Sequence, residues 1–142
     1  MTIELYAEGR PAPQGSLNRG RAGALYHASP NLEAWRTSII AAARDQGPAK
    51  GPLFGPVTTD LLFEIRRPLG HYRGRKPGAG LTPAAIAAYP RRPDLDKLIR
   101  STIDALVLGA LIQDDAQVIE IRARKVYSSA QGVRIKVEPV FP

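Results

Sequence analysis

Cysteine is absent from the 142 residues, which excludes disulfide staples, thiol nucleophiles, Fe–S clusters and thiolate zinc sites and is compatible with a reducing compartment. Histidine is scarce: His27 and His71 are the whole supply, so a zinc centre would lack its usual ligands. Long apolar runs are missing as well. The longest, Ala105–Ile112, falls far short of a bilayer span, and Met1–Arg10 carries Glu4 and Glu8. Neither a membrane helix nor a signal peptide is expected. Negative charge is the scarcer sign, with 13 Asp and Glu against 20 Lys and Arg, a net +7. That balance favours a polyanionic partner, nucleic acid or an acidic membrane surface, and by itself does not choose between them.

What is present reads as one domain over residues 1–142, long enough to bury about two-thirds of its surface without staples. Ile3, Leu5 and Ala7 alternate with polar neighbours as a first strand. The prolines of Pro11-Ala12-Pro13-Gln14-Gly15 stop it, and the polar stretch to Ala28 reads as a long loop. Ser29-Pro30 predicts the cap and first turn of a helix whose apolar face is Leu32, Trp35, Ile39, Ile40 and Ala43, ended by Gly47-Pro48. Val57, Thr59, Leu61, Phe63 and Ile65 mark a second strand ending near Arg66.

Residues 67–93 hold prolines and glycines that break every local period, with one helical turn expected at Thr82–Ala85, and their charges are almost all positive. A loop this long in a small domain is usually functional or mobile. Beyond it, Leu95, Leu98, Ile99, Thr102, Ile103 and Leu106 give the strongest helical period in the chain, with Asp94 as cap and Gly109 as stop. After the acidic turn Asp114-Asp115, Ile119, Ile121 and Ala123 alternate as a third strand. Ser128–Gly132 is expected to turn that strand into a fourth, carrying Val133, Ile135 and Val137. The order β-α-β-loop-α-β-β predicts an α+β fold, a mixed four-stranded sheet covered by two helices and closed by a terminal hairpin.

Two acidic pairs, Asp94/Asp96 and Asp114/Asp115, stand at element boundaries of a cationic protein. Each taken alone reads as capping or turn chemistry. Together they are the hard-oxygen donors a Mg²⁺ site for phosphate chemistry requires, provided the fold returns the acidic turn to the start of the helix. Asp96, Arg100 and Asp104 follow at i, i+4 and i+8. They form either an ordinary surface ladder or a site in which Lys97 or Arg100 binds phosphate and Asp104 orients Arg100. Lys125 falls on the apolar side of the third strand, where solvent at the strand end is the simpler explanation. Arg19, Arg21, Arg73, Arg75, Lys76, Arg91 and Arg92 read as phosphate-tracking charges, or as a plain solvated surface. Trp35 and Phe63 read as core; Tyr26 and His27 could contact substrate.

Arg92-Pro93-Asp94-Leu95-Asp96-Lys97-Leu98, then Asp104-Ala105-Leu106, then Asp114-Asp115-Ala116-Gln117-Val118 with Lys125 beyond, resembles the RusA family of Holliday-junction resolvases. Pro11-x-Pro13-Gln14-Gly15 and the first helix are more loosely similar, in the style of phage and prophage members. The resemblance implies a homodimeric, Mg²⁺-dependent endodeoxyribonuclease, with Mn²⁺ a possible substitute, that makes paired nicks across branched DNA in recombination and repair. The cytoplasm of a bacterial or phage-infected cell is the expected setting. By the same resemblance Asp94, Asp96 and Asp115 are metal-binding catalytic carboxylates, Asp114 is an adjacent, less essential one, and Asp104 is supporting. Lys97 and Arg100 stand where a well-known bacterial member carries an Asn and a Lys, and one or the other takes the catalytic basic role. The rival readings are a broader branched-DNA or flap nuclease and a non-catalytic junction-binding protein.

Overall fold

The computed structural model describes residues 1–15, 17–19, 25–27 and 30–141. The N-terminal alternation forms strand β1 (Ile3–Glu8), which buries Ile3, Leu5 and Ala7 on one side. Part of the stretch expected as loop pairs instead as a short ribbon, β2 (Leu17–Arg19) with β3 (Leu25–His27), Leu17 facing His27 and Arg19 facing Leu25. Helix α1 (Leu32–Gln46) starts later than the Ser-Pro signal implied. Asn31 occupies the N-cap position without a side-chain bond, and Ser29 lies outside the described residues. Its buried face is Leu32, Trp35, Ile39, Ala42 and Ala43, and the Gly47 N–H closes it on the Ala43 carbonyl. Strand β4 (Val57–Arg66), the single turn α2 (Pro83–Ile86), helix α3 (Leu95–Leu108), and strands β5 (Val118–Ser128) and β6 (Gly132–Pro139) complete the domain.

The expected α+β class and four-stranded mixed sheet are present, with strand order β1-β6-β4-β5. The terminal hairpin is not. β4 lies between β5 and β6, parallel to the first and antiparallel to the second. Burial accounts for this placement. Val133, Ile135 and Val137 of β6 are fully buried and need neighbours on both sides, whereas Ile119 and Ile121 of β5 stay 61% and 42% exposed at the sheet edge. The connection from β4 to its parallel neighbour β5 is a crossover through α3, and antiparallel β6 then fills the gap between β4 and β1. Cross-strand rows on the covered face run Leu5, Ile135, Leu61, Ala123 and then Ala7, Val133, Phe63, Lys125. The two longer helices pack on each other and join the sheet in one core of Trp35, Ile39, Phe63, Leu98 and Leu106.

Candidate active site

Helix α3 carries the site because its inner face is committed to the core and its two ends are not. Leu98, Thr102, Ala105 and Leu106 face inward, leaving Asp94, Asp96 and Arg100 exposed. The Pro-x-Pro-Gln-Gly segment lies along the same helix. Ser101 donates its hydroxyl to the Ala12 carbonyl (2.7 Å), and the Gln14 N–H donates to the Lys97 carbonyl (3.1 Å). The Lys97 methylenes pass over Gly15, 3.4 Å from where a side chain there would begin. At the N-terminal end, Asp94 stands at the N-cap position yet its carboxylate caps nothing. Asp96 reaches the Lys97 ammonium at 3.6 Å. Neither carboxylate accepts a hydrogen bond from the backbone among the described residues, against the capping reading of Asp94.

Lys125 holds this end in place. Its ammonium donates to the carbonyls of Arg91 (2.9 Å) and Pro93 (2.8 Å), immediately before Asp94. A charge on the covered side of a strand is thus explained by two anchored carbonyls rather than by open solvent.

The acidic turn returns to the other end of α3. Asp114 opens a 3₁₀ turn over Asp115–Gln117, accepting from the Ala116 N–H (2.9 Å), while Gln117 accepts from the Asp114 N–H (3.0 Å) and donates to the Leu53 and Gly55 carbonyls. Asp114, unlike Asp94, acts as a cap. The Ala116 N–H and then the Asp115 carboxyl lower its pKa. Its hydrogen bond to Asp114, followed by desolvation and the charges of Asp114 and Asp104, raises the pKa of Asp115.

Asp104 points toward α1, not toward Arg100. Gln14 donates to it at 2.6 Å, Arg36 donates to Gln14, and Arg36 reaches Asp104 at 4.0 Å. Arg100 forms no ion pair among the described residues, so neither the expected ladder nor an Asp104-oriented Arg100 is present. Arg36, Asp104, Gln113, Asp114 and Asp115, with Val107 and Leu108, line a cavity of about 400 Å³. A larger cavity of about 660 Å³ lies on the uncovered face of the sheet, between Tyr6, Asp60, Arg122 and Arg134, away from α3 and the acidic turn.

The candidate carboxylates thus form two groups rather than one. Asp94 and Asp96 occupy one end of α3, and Asp115 sits by Asp104 at the other, ten residues or roughly 15 Å of helix away. Among the described residues no three acidic or histidine side chains stand close enough to hold an ion. Either pair offers hard oxygen donors suited to Mg²⁺, but Asp94, Asp96 and Asp115 do not fit a single ion within one chain. Arg73, Arg75, Lys76, Arg91 and Arg92 are exposed. Arg21 lies outside the described residues, and for Arg19, Tyr26 and His27 only the backbone, in β2 and β3, is described. Gln14 and Arg36 escaped the sequence reading as site residues. The Pro-x-Pro-Gln-Gly motif pointed to the first, and nothing in the helical period of α1 singled out the second.

Exposed carboxylates at both ends of one helix, on a domain of net charge +7, suit a protein of the class that processes nucleic acid. The family model described as Endodeoxyribonuclease RusA matches residues 8–138, nearly the whole chain, and the chain belongs to that family. Membership makes it an endodeoxyribonuclease of the kind that acts on Holliday junctions. The chain is also similar to the uncharacterized protein YqaN of Bacillus subtilis, 24% identical over 138 residues that cover 96% of this chain and 92% of that protein. No helix among the described residues is long and apolar enough to cross a membrane.

Proposed function

We propose that the protein is a Mg²⁺-dependent resolvase that cuts four-way junctions by paired symmetric nicks in cytoplasmic recombination and repair, and that its site is completed only when two copies meet. The observation that carries this reading is the separation of the carboxylates along α3. A two-fold axis perpendicular to that helix sets two copies of it antiparallel, so Asp94 and Asp96 of one copy approach Asp115 of the other. The apolar side chains for such a contact are at hand: Leu108, Ile119 and Ile121 are exposed where α3 ends and along β5, whose outer edge has no strand partner among the described residues.

In this reading Asp94, Asp96 and Asp115 hold the ion, with Asp114 beside them, and Mn²⁺ can replace Mg²⁺. Held there, an ion would supply an activated water and neutralise charge on the phosphate. Half-buried Lys97 and exposed Arg100, beside the N-terminal carboxylates, bind the phosphodiester. Lys125 positions Asp94 through the Arg91 and Pro93 carbonyls. Basic residues of the 67–93 loop hold the DNA arms.

The test is cleavage of a synthetic mobile four-way junction with Mg²⁺, beside a linear duplex and a Y-fork, by wild type, Asp96→Asn and Asp115→Asn. Paired nicks in the junction are expected from wild type and from neither variant. Mixing the two variants is expected to restore nicking, because a mixed dimer keeps one intact site; a site built within one chain would stay dead. Equal cutting of the Y-fork would make the protein a broader branched-DNA nuclease. Tight junction binding without cutting in either metal would make it a binding protein.

A further inference from the structure

Residues 67–93 contain six cations and no acidic residue, and they are anchored along their length rather than loose. Tyr72 and Leu81 form an antiparallel bridge, and the Thr82 N–H donates to the His71 carbonyl (3.0 Å). Arg67 donates to the Ala85 carbonyl (3.0 Å), with its guanidinium 5.0 Å from the centre of the Tyr127 ring. His71 meets the same ring edge-on at 5.1 Å. Ala85 and Pro90 are buried, and Lys125 ties down the Arg91 and Pro93 carbonyls at the far end.

Between buried Ala85 and the anchored Arg91 carbonyl two large apolar side chains are left in water: Ile86 is 70% exposed and Tyr89 65%. Exposed apolar side chains held on a fixed segment gain nothing for the fold and mark a contact surface when they cluster near charge. Here they precede Asp94 by eight and five positions. The Arg91 guanidinium lies 5.8 Å from the Tyr89 ring centre, on one face. The exposure of that residue leaves ring surface open to a planar partner.

We propose that Ile86 and Tyr89 form a wedge that engages unstacked bases at the branch point of a DNA junction, with Arg91 and Arg92 on the adjoining phosphates. The proposal rests on the junction-nuclease reading above and deepens it. Continuous duplex offers only phosphates and groove edges, so cations suffice there. At a branch point the bases are the easiest to unstack, and their faces suit an aromatic ring and an aliphatic wedge. The absence of any carboxylate from the segment fits a polyanion along its whole length.

The test uses the full chain in EDTA, so that binding is read without cleavage, and a four-way junction carrying 2-aminopurine either at the branch point or in mid-arm. Wild type is expected to raise fluorescence at the branch point and not in the arm. Tyr89→Ala and Ile86→Ser should each remove that rise and lower the preference for junction over linear duplex by about tenfold, while Tyr89→Phe keeps both. Their melting temperatures should match wild type, since neither side chain is packed. A branch-point rise that survives in Tyr89→Ala and Ile86→Ser overturns the wedge and leaves the nuclease reading intact. Wild type that binds junction and duplex alike overturns both. Binding to phosphatidylglycerol vesicles that Tyr89→Ala abolishes, with no branch-point signal, overturns the wedge in favour of a membrane contact.

Discussion

Asp94 and Asp114 both stand at N-cap positions, yet only Asp114 spends its carboxylate on a cap. Spacing cannot separate the two, because the choice is made by side-chain rotamers and by Gln117, which closes the box around Asp114. The difference predicts opposite outcomes. Asp114→Ala should lower the melting temperature by a few degrees, through loss of the cap. Asp94→Asn should leave it within about 2 °C while abolishing junction cleavage; calorimetry beside the cleavage assay reads both. Gln14 makes a further case. It is buried, donating to Asp104 and accepting from Arg36, 90 and 22 residues away in sequence. No local pattern encodes such a triad. Gln14→Ala leaves a carboxylate and a guanidinium partly buried without their partner, and chemical denaturation should show a loss of about 1–3 kcal/mol.

Helices and strands were legible because their apolar periods are strong: the buried faces of α1, α3 and β4 follow them closely. Pairing was not, because a period of two says which face is buried and not which strand lies beside which. The short turn after Ser128 implied a hairpin, whereas it steps across the end of β4. Gly132, where β6 begins, makes that step possible. Its φ is +159°, and a Cβ there would run into the Ala7 carbonyl and crowd the Tyr6 ring of β1. Gly132→Ala should therefore cost about 1–3 kcal/mol in urea unfolding, far more than an ordinary turn glycine. Lys125 works at the same scale, joining β5 to the segment that leads into α3. Lys125→Met frees two carbonyls without opening the core. Hydrogen exchange around Arg91–Asp94 should quicken and cleavage fall, with the melting temperature little changed.

At the scale of the whole molecule, the two acidic pairs read as one site only if the chain folds back along α3. The chain does return, but to the far end of the helix, beside Asp104. An arrangement that depends on a second copy cannot be read from spacing within one copy. The sheet edge supplies the means to test it. Ile119 and Ile121 sit on β5, exposed in the single chain, so replacing them removes little from its core. Ile121→Glu should keep the circular dichroism and melting behaviour of a folded protein while sedimenting as a monomer. If Asp115 acts on the partner copy's Asp94 and Asp96, the same variant must lose paired nicking even though every carboxylate is intact. A monomeric Ile121→Glu that still cuts junctions would place the three carboxylates back within one chain, through a rearrangement of the acidic turn on DNA.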